Sequence, residues 1–255
     1  MDNIFLPGLP IDRILAAYLA APGNEIESGK FISPESSAAL AANAFGLFLG
    51  RAADLPALPG CEDAGWPALS LQLEAVARFP WRGGRHPCLD ALVETRAALI
   101  GIESKRYEPF RPKSESSLSD AYWRPVWGDS MAGYEHVRDA LRDGSMTFTH
   151  LDAAQLVKHA FGLRTAVHRQ NELRGKQPIL FYLHAEPQRW PDGRAVPAAA
   201  IEAHRVEVAQ FAECVAADEV IFCECSYANL LSRWEQAPDA EIRTHAAALR
   251  ERFAP

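Results

Sequence analysis

Residues 97–110 read AALIGIESKRYEPF. Leu99, Ile100 and Ile102 form the apolar run of a buried strand, and Glu103 and Lys105 stand at its end. Alternate residues of a strand share a face, so this acid and base point the same way, about 6.6 Å apart along the chain. Asp90 lies near the start of the preceding expected strand, and a hairpin-like pairing would bring its carboxylate toward Glu103. Two carboxylates and one backbone carbonyl make a hard-oxygen site with room for water, which suits Mg²⁺. A lysine beside it can orient or help deprotonate a water, or steady charge growing on a phosphate oxygen. Of the five lysines, only Lys105 has an acid two residues before it. The bare triplet also suits an ordinary ion pair at a strand end. Its place on an apolar strand, with an acid upstream, marks it as a candidate site.

The elements that must position these groups follow from pattern. Residues 11–21 read as a short amphipathic helix. Residues 35–52 read as a second, with Ser33 as N-cap and Pro34 at the first helical position. ALSLQLEAVARF (68–79), CLDALVET (88–95) and AALIGIESKRY (97–107) read as three strands with short connections, hence an antiparallel meander. PWRGGRHP (80–87) is a tight turn, and residues 111–130 an irregular excursion. A helix then ends at Gly144. The next, LDAAQLVKHAFGLRTAVHRQ, is capped by Asp152 or Thr149. QPILFYLHAEP (177–187) has the continuous apolar run of a central strand. Helix, strand (DEVIFCECSY) and further helices complete the chain. The order implies an α/β fold, one mixed central sheet flanked by helices, in a single domain over 1–255.

The bulk numbers narrow the class. The chain has 255 residues, 48% hydrophobic and 23% charged, with net charge −7. The start has no basic region before an apolar stretch, and no window suits a membrane span, so a cytoplasmic protein is expected. Five cysteines without C-x-x-C argue for reduced thiols rather than structural zinc. The acidic balance argues against a broad nucleic-acid surface, but Lys and Arg are concentrated locally. Nine lie between Arg78 and Arg124 against six acids, and five between Gln155 and Lys176 against Glu172 alone. On the helix after 152, Gln155, Lys158, His159 and Arg164 could face a phosphate backbone, with Arg106 a further cation; a solvated helix face is the plainer alternative. Tyr122, Trp123 and Trp127 could stack on bases or anchor a loop. His86 and His184 suit structural hydrogen bonding more than metal ligation. GDSMAG is not a nucleophile elbow, and LRGKQP lacks the rest of a P-loop.

CLDALVET…LIGIESKRYEPF resembles the PD-(D/E)xK nuclease superfamily, in particular a bacterial group of restriction-endonuclease-like proteins. In that group an Ile-Gly-Ile-Glu-x-Lys strand precedes an aromatic residue and Glu-Pro-Phe. SSAALAANAF is similar to the group's first core helix and QLVKHAFGL to the helix after the third strand, so the likeness spans roughly Ser36 to Trp234. The resemblance implies a restriction-endonuclease-like αβββαβ core, here about residues 33–235, and metal-dependent hydrolysis of DNA, with RNA as the other possible substrate. It implies Asp90 and Glu103 as metal ligands with the Ser104 carbonyl, Lys105 as the catalytic lysine and Gln155 lining the site. An acid from the first helix, Glu35 or else Glu27, would complete it. Mg²⁺ is the implied cofactor, with Mn²⁺ able to substitute, and double-strand cutting would favour a homodimer. The sequence departs from the pattern in having Pro87 three residues before the aspartate rather than adjacent. The alternatives are a silent nuclease-fold protein that binds DNA or a partner, and a small-molecule hydrolase using Glu103 with a second carboxylate.

Overall fold

The computed structural model describes residues 4–81, 83–84, 86–111 and 118–255. Part of the expected 80–87 turn (Arg82, Arg85) and residues 112–117 of the expected excursion lie outside them. Five strands form one mixed sheet in chain order: β1 (Ser70–Val76), β2 (Cys88–Glu94), β3 (Ala98–Lys105), β4 (Gln177–His184) and β5 (Ile221–Ser226). The first three are antiparallel neighbours, as the short connections predict; β3, β4 and β5 run parallel. Parallel neighbours need a crossover, and helices supply it. Between β3 and β4 come α3 (Ala132–Asp143) and α4 (Ala153–Arg169), and between β4 and β5 comes α5 (Ala198–Val215). Before the sheet lie α1 (Ile11–Ala20) and α2 (Ser37–Gly46); after it, α6 (Tyr227–Trp234) and α7 (Ala240–Phe253). Among the described residues no helix is long and apolar enough to cross a membrane.

Alternation along the central strands splits the core into two layers. Ile100, Ile102, Phe181 and Leu183 pack with Leu40, Phe45 and Trp234 on the side of α1, α2, α6 and α7. Leu99, Leu180 and Tyr182 pack with Phe161, Leu163 and Phe211 on the side of α3, α4 and α5. Helix α2 is buried from Ala38 to Gly46, which explains its nearly all-apolar sequence. Its start differs from the expectation: Ser36, not Ser33, caps it, accepting the Ala39 N–H at 3.0 Å. Ser33 instead accepts the Glu35 N–H, so Pro34 and Glu35 belong to the approach turn. Two serines three residues apart offer the same hydroxyl, and the turn on Arg106 and Glu108 decides between them. Asp152 caps α4 through the Gln155 N–H, and Gly144 ends α3 at φ +76. Trp127 stacks on Phe161 at 4.1 Å in the core, the anchoring role rather than base stacking.

The β1–β2 hairpin does not keep one face to one layer. Leu71, Leu73, Ala91 and Val93 belong to the first layer, whereas Ala77, Phe79 and Leu89 belong to the second. The changeover falls at Glu74 and Asp90, which stand opposite each other between the pairs Leu73↔Ala91 and Ala75↔Leu89. Glu74 has φ +51, a left-handed backbone that a non-glycine residue adopts only under local constraint. Gly101 lets the twisted hairpin lie against β3. A Cβ there would stand 2.8 Å from Leu89 Cδ1 and 2.9 Å from both Leu163 methyls.

Candidate active site

The β2–β3 ladder stops at Ala91↔Ile102, so Asp90 and Glu103 sit at the fork where the strands part. The Lys105 carbonyl accepts the Ala185 N–H, which places the backbone of Lys105 toward β4 and, by alternation, that of Ser104 toward β2. There the Ser104 N–H donates to Asp90 Oδ2 at 2.6 Å. The aspartate side chain thus replaces a missing ladder bond. The Ser104 hydroxyl is on the opposite side of the sheet, 2.7 Å from the Tyr227 hydroxyl.

Glu103 and Lys105 do share a face: Lys105 Nζ donates to Glu103 Oε1 at 2.5 Å. The other carboxylate oxygen lies 2.9 Å from His159 Nε2 of α4, close enough to pair but off the angle of a good hydrogen bond. Glu103 is only 2% exposed. Burial by itself would raise its carboxyl, but Lys105 and His159 outweigh it and hold the group at about 2. Burial would likewise lower Lys105, but Glu103, Glu108 and Asp90 push it up, so the lysine is firmly cationic. Asp90 moves the other way. Burial and then the neighbouring Glu103 charge raise it well above the usual carboxylate range, against the pull of Lys105.

Asp90, Glu103, Ser104 and Lys105 line a cleft of about 540 Å³. Glu74, which sequence reading passed over, also lines it and is raised to about 7 by burial, partly offset by a hydrogen bond from Cys88, with Glu103 and Glu25 adding repulsion. Glu25 and Glu108 are the other missed acids, and Glu108 is the better tied. Its carboxylate accepts the Arg106 N–H at 2.8 Å and the Ser37 hydroxyl at 2.5 Å, tying the end of β3 to the start of α2. The Glu-Pro-Phe after the strand carried the signal for Glu108. Glu74 carried none, because a polar residue between Leu73 and Ala75 is what any half-exposed strand shows.

The other expected residues divide. Gln155 lines the cleft from the first turn of α4. Glu35 also lines it, but its carboxylate is paired with Arg111. Glu27 is exposed and outside the lining. Lys158 is half-buried and also outside it. Three residues expected to face a phosphate backbone are otherwise engaged. His159 is 1% exposed and faces Glu103, because α4 turns that side toward the sheet. Arg164 binds Glu219 at 3.0 Å. Arg106 is buried, its guanidinium donating to the carbonyls of Pro34 and Phe253. The basic face expected on α4 is therefore mostly core and ion pair. His86 accepts the Phe79 N–H and His184 pairs with Glu224, both structural roles.

The described lining holds six acids (Glu25, Glu35, Glu74, Asp90, Glu103, Glu108) and three cations (Lys30, Lys105, Arg111). Like charges held this close disfavour one another, and a divalent cation between their oxygens would relieve the repulsion. The carboxylates near the fork are hard oxygen donors, which suit Mg²⁺ or Mn²⁺, and the Cys88 thiol in the same lining is turned to Glu74. Among the described residues no group of three or more His, Cys, Asp and Glu side chains is disposed to hold a metal ion, so the fit rests on two carboxylates and backbone. In comparisons with known proteins, no family model, no curated protein and no solved structure matches this chain.

Proposed function

We propose that this chain is a Mg²⁺-dependent phosphodiester hydrolase acting on DNA, with a PD-(D/E)xK-type site and a restriction-endonuclease-like core. The observation that carries the reading is the fork. Asp90 takes the Ser104 N–H, and Glu103 contacts Lys105, on adjoining strand ends within one cleft. The run α2, β1, β2, β3, α4, β4 follows the αβββαβ order, with α3 inserted before α4. Asp90, Glu103 and the Ser104 carbonyl would hold the cation, with Glu74 in the lining of the same cleft. Bound there, the metal would supply Lewis-acid stabilisation of charge on the phosphoryl oxygens. Lys105 is held cationic by Glu103, so its part is to position a water and neutralise charge by donating hydrogen bonds, not to take a proton. His159 fixes the Glu103 carboxylate from the core side, and Gln155 offers an amide to the same cleft.

The test is cleavage of supercoiled plasmid and of single-stranded DNA with Mg²⁺ or Mn²⁺, wild type beside Lys105→Ala. Cutting that disappears with EDTA and with the lysine supports the reading; full cutting by Lys105→Ala ends it. The lack of a three-side-chain metal group among the described residues favours a second reading, a silent nuclease-fold protein that binds DNA or a partner. Binding that ignores Mg²⁺, with no cutting under any metal, would establish that one instead.

A further inference from the structure

A second cavity, about 480 Å³, lies between the 32–34 turn and the end of α7. Ser33 lines both it and the acidic cleft, so the two are neighbours. Its other walls include Ile4, Ile32, Arg106, Arg252 and Phe253. Arg106 is the unusual member. It is 6% exposed, yet it forms no ion pair with a carboxylate among the described residues. Two of its nitrogens donate to carbonyl oxygens, Pro34 at 2.6 Å and Phe253 at 2.5 Å. Its Nε is buried without a hydrogen-bond partner, and its guanidinium carbon lies 5.1 Å from the ring centres of Tyr107 and Phe253. Carbonyl dipoles and aromatic faces stabilise a cation without neutralising it, so the full positive charge persists in a desolvated wall.

Such a wall attracts an anion, and a planar guanidinium matches phosphate best. Arg252 places a second guanidinium at the same cavity and Ser33 a hydroxyl. Ile4, Phe253 and the 56%-exposed Ile32 offer apolar surface beside them, which suits a phosphate carrying a flat organic body over a bare inorganic ion. We propose that this cavity binds the phosphate of a nucleotide, free or within a strand that continues into the neighbouring acidic cleft. The strand form rests on the nuclease reading; the free form does not.

The test measures binding of 2′-deoxyadenosine 5′-monophosphate by calorimetry and of a short labelled single strand by fluorescence anisotropy. Deoxyadenosine without phosphate is the control. Arg252→Ala and Ile32→Glu carry the comparison, because both side chains are exposed; melting curves check that each variant folds as wild type does. Loss of one charge-assisted contact should weaken binding about tenfold. Weakening of both probes supports the strand form, and weakening of the mononucleotide alone supports the free form. No binding of either probe to wild type, or binding indifferent to both substitutions, overturns the proposal. Plasmid cleavage is read separately, so nucleotide binding without cutting would keep this site while removing the nuclease reading.

Discussion

Glu74→Gln should make the metal-free protein more stable at pH 8, although it deletes a charge from what reads as a polar site. The folded chain holds this carboxyl at about 7 against 4.5 for an unperturbed glutamate. A folded-state value above the unfolded one means that the native protein keeps the proton longer. The associated stability is fully present below about 4.5 and is lost as pH rises through about 7. The gap corresponds to about 3 kcal/mol at 1.36 kcal/mol per tenfold. Glutamine keeps the shape and can still accept the hydrogen bond from Cys88, but it never ionises, so it escapes the loss. At 2–4 °C per kcal/mol for a chain of this size, the variant should melt about 6–12 °C above wild type at pH 8. The difference should shrink to under about 1 kcal/mol at pH 5, where the native carboxyl is already protonated. Differential scanning calorimetry with EDTA at intervals from pH 5 to 8 reads this directly. Adding Mg²⁺ should raise wild type more than the variant, because the cation replaces the proton in relieving the crowding. A variant that melts below wild type at pH 8, or a gap that does not depend on pH, would refute the argument that Glu74 is strained by burial and like charge.

Other outcomes follow from the same geometry. Lys105→Ala should reduce DNA cleavage at least 10²-fold, a magnitude typical of losing one donor to developing charge, while far-UV circular dichroism stays unchanged. His159→Ala should cost about 1–3 kcal/mol in urea denaturation, because it removes a buried polar contact of the Glu103 carboxylate; His159→Gln should recover part of it. Gly101→Ala should cost about 1–3 kcal/mol, since the new methyl meets the methyls of Leu89 and Leu163, both buried, at under 3 Å. If that variant is as stable as wild type, the hairpin does not rest against β3 as described.

Much of the frame was readable because its signals are local. A continuous apolar run marks β3 and β4 as central strands, and Asp or Ser before an apolar stretch marks a helix start, though the sequence left Asp152 and Thr149 equal and favoured Ser33 over Ser36. The pairing of Glu103 with Lys105 was also local, a consequence of strand alternation. On α4, by contrast, the period shows which residues share a face but not which face meets the sheet. Gln155 therefore turned out at the cleft, His159 in the core and Arg164 on Glu219.

The amino-acid sequence by itself determined the elements, the meander and the acid–lysine pair on one strand face, because each depends on residues a few positions apart. Only the tertiary structure decided which acids meet. Asp90 reaches Ser104 because the β2–β3 ladder ends one pair short of it, and Glu74 joins the cleft because the hairpin changes layers at a left-handed residue. Register and twist arise from how distant side chains pack, and no local pattern around position 74 encodes them.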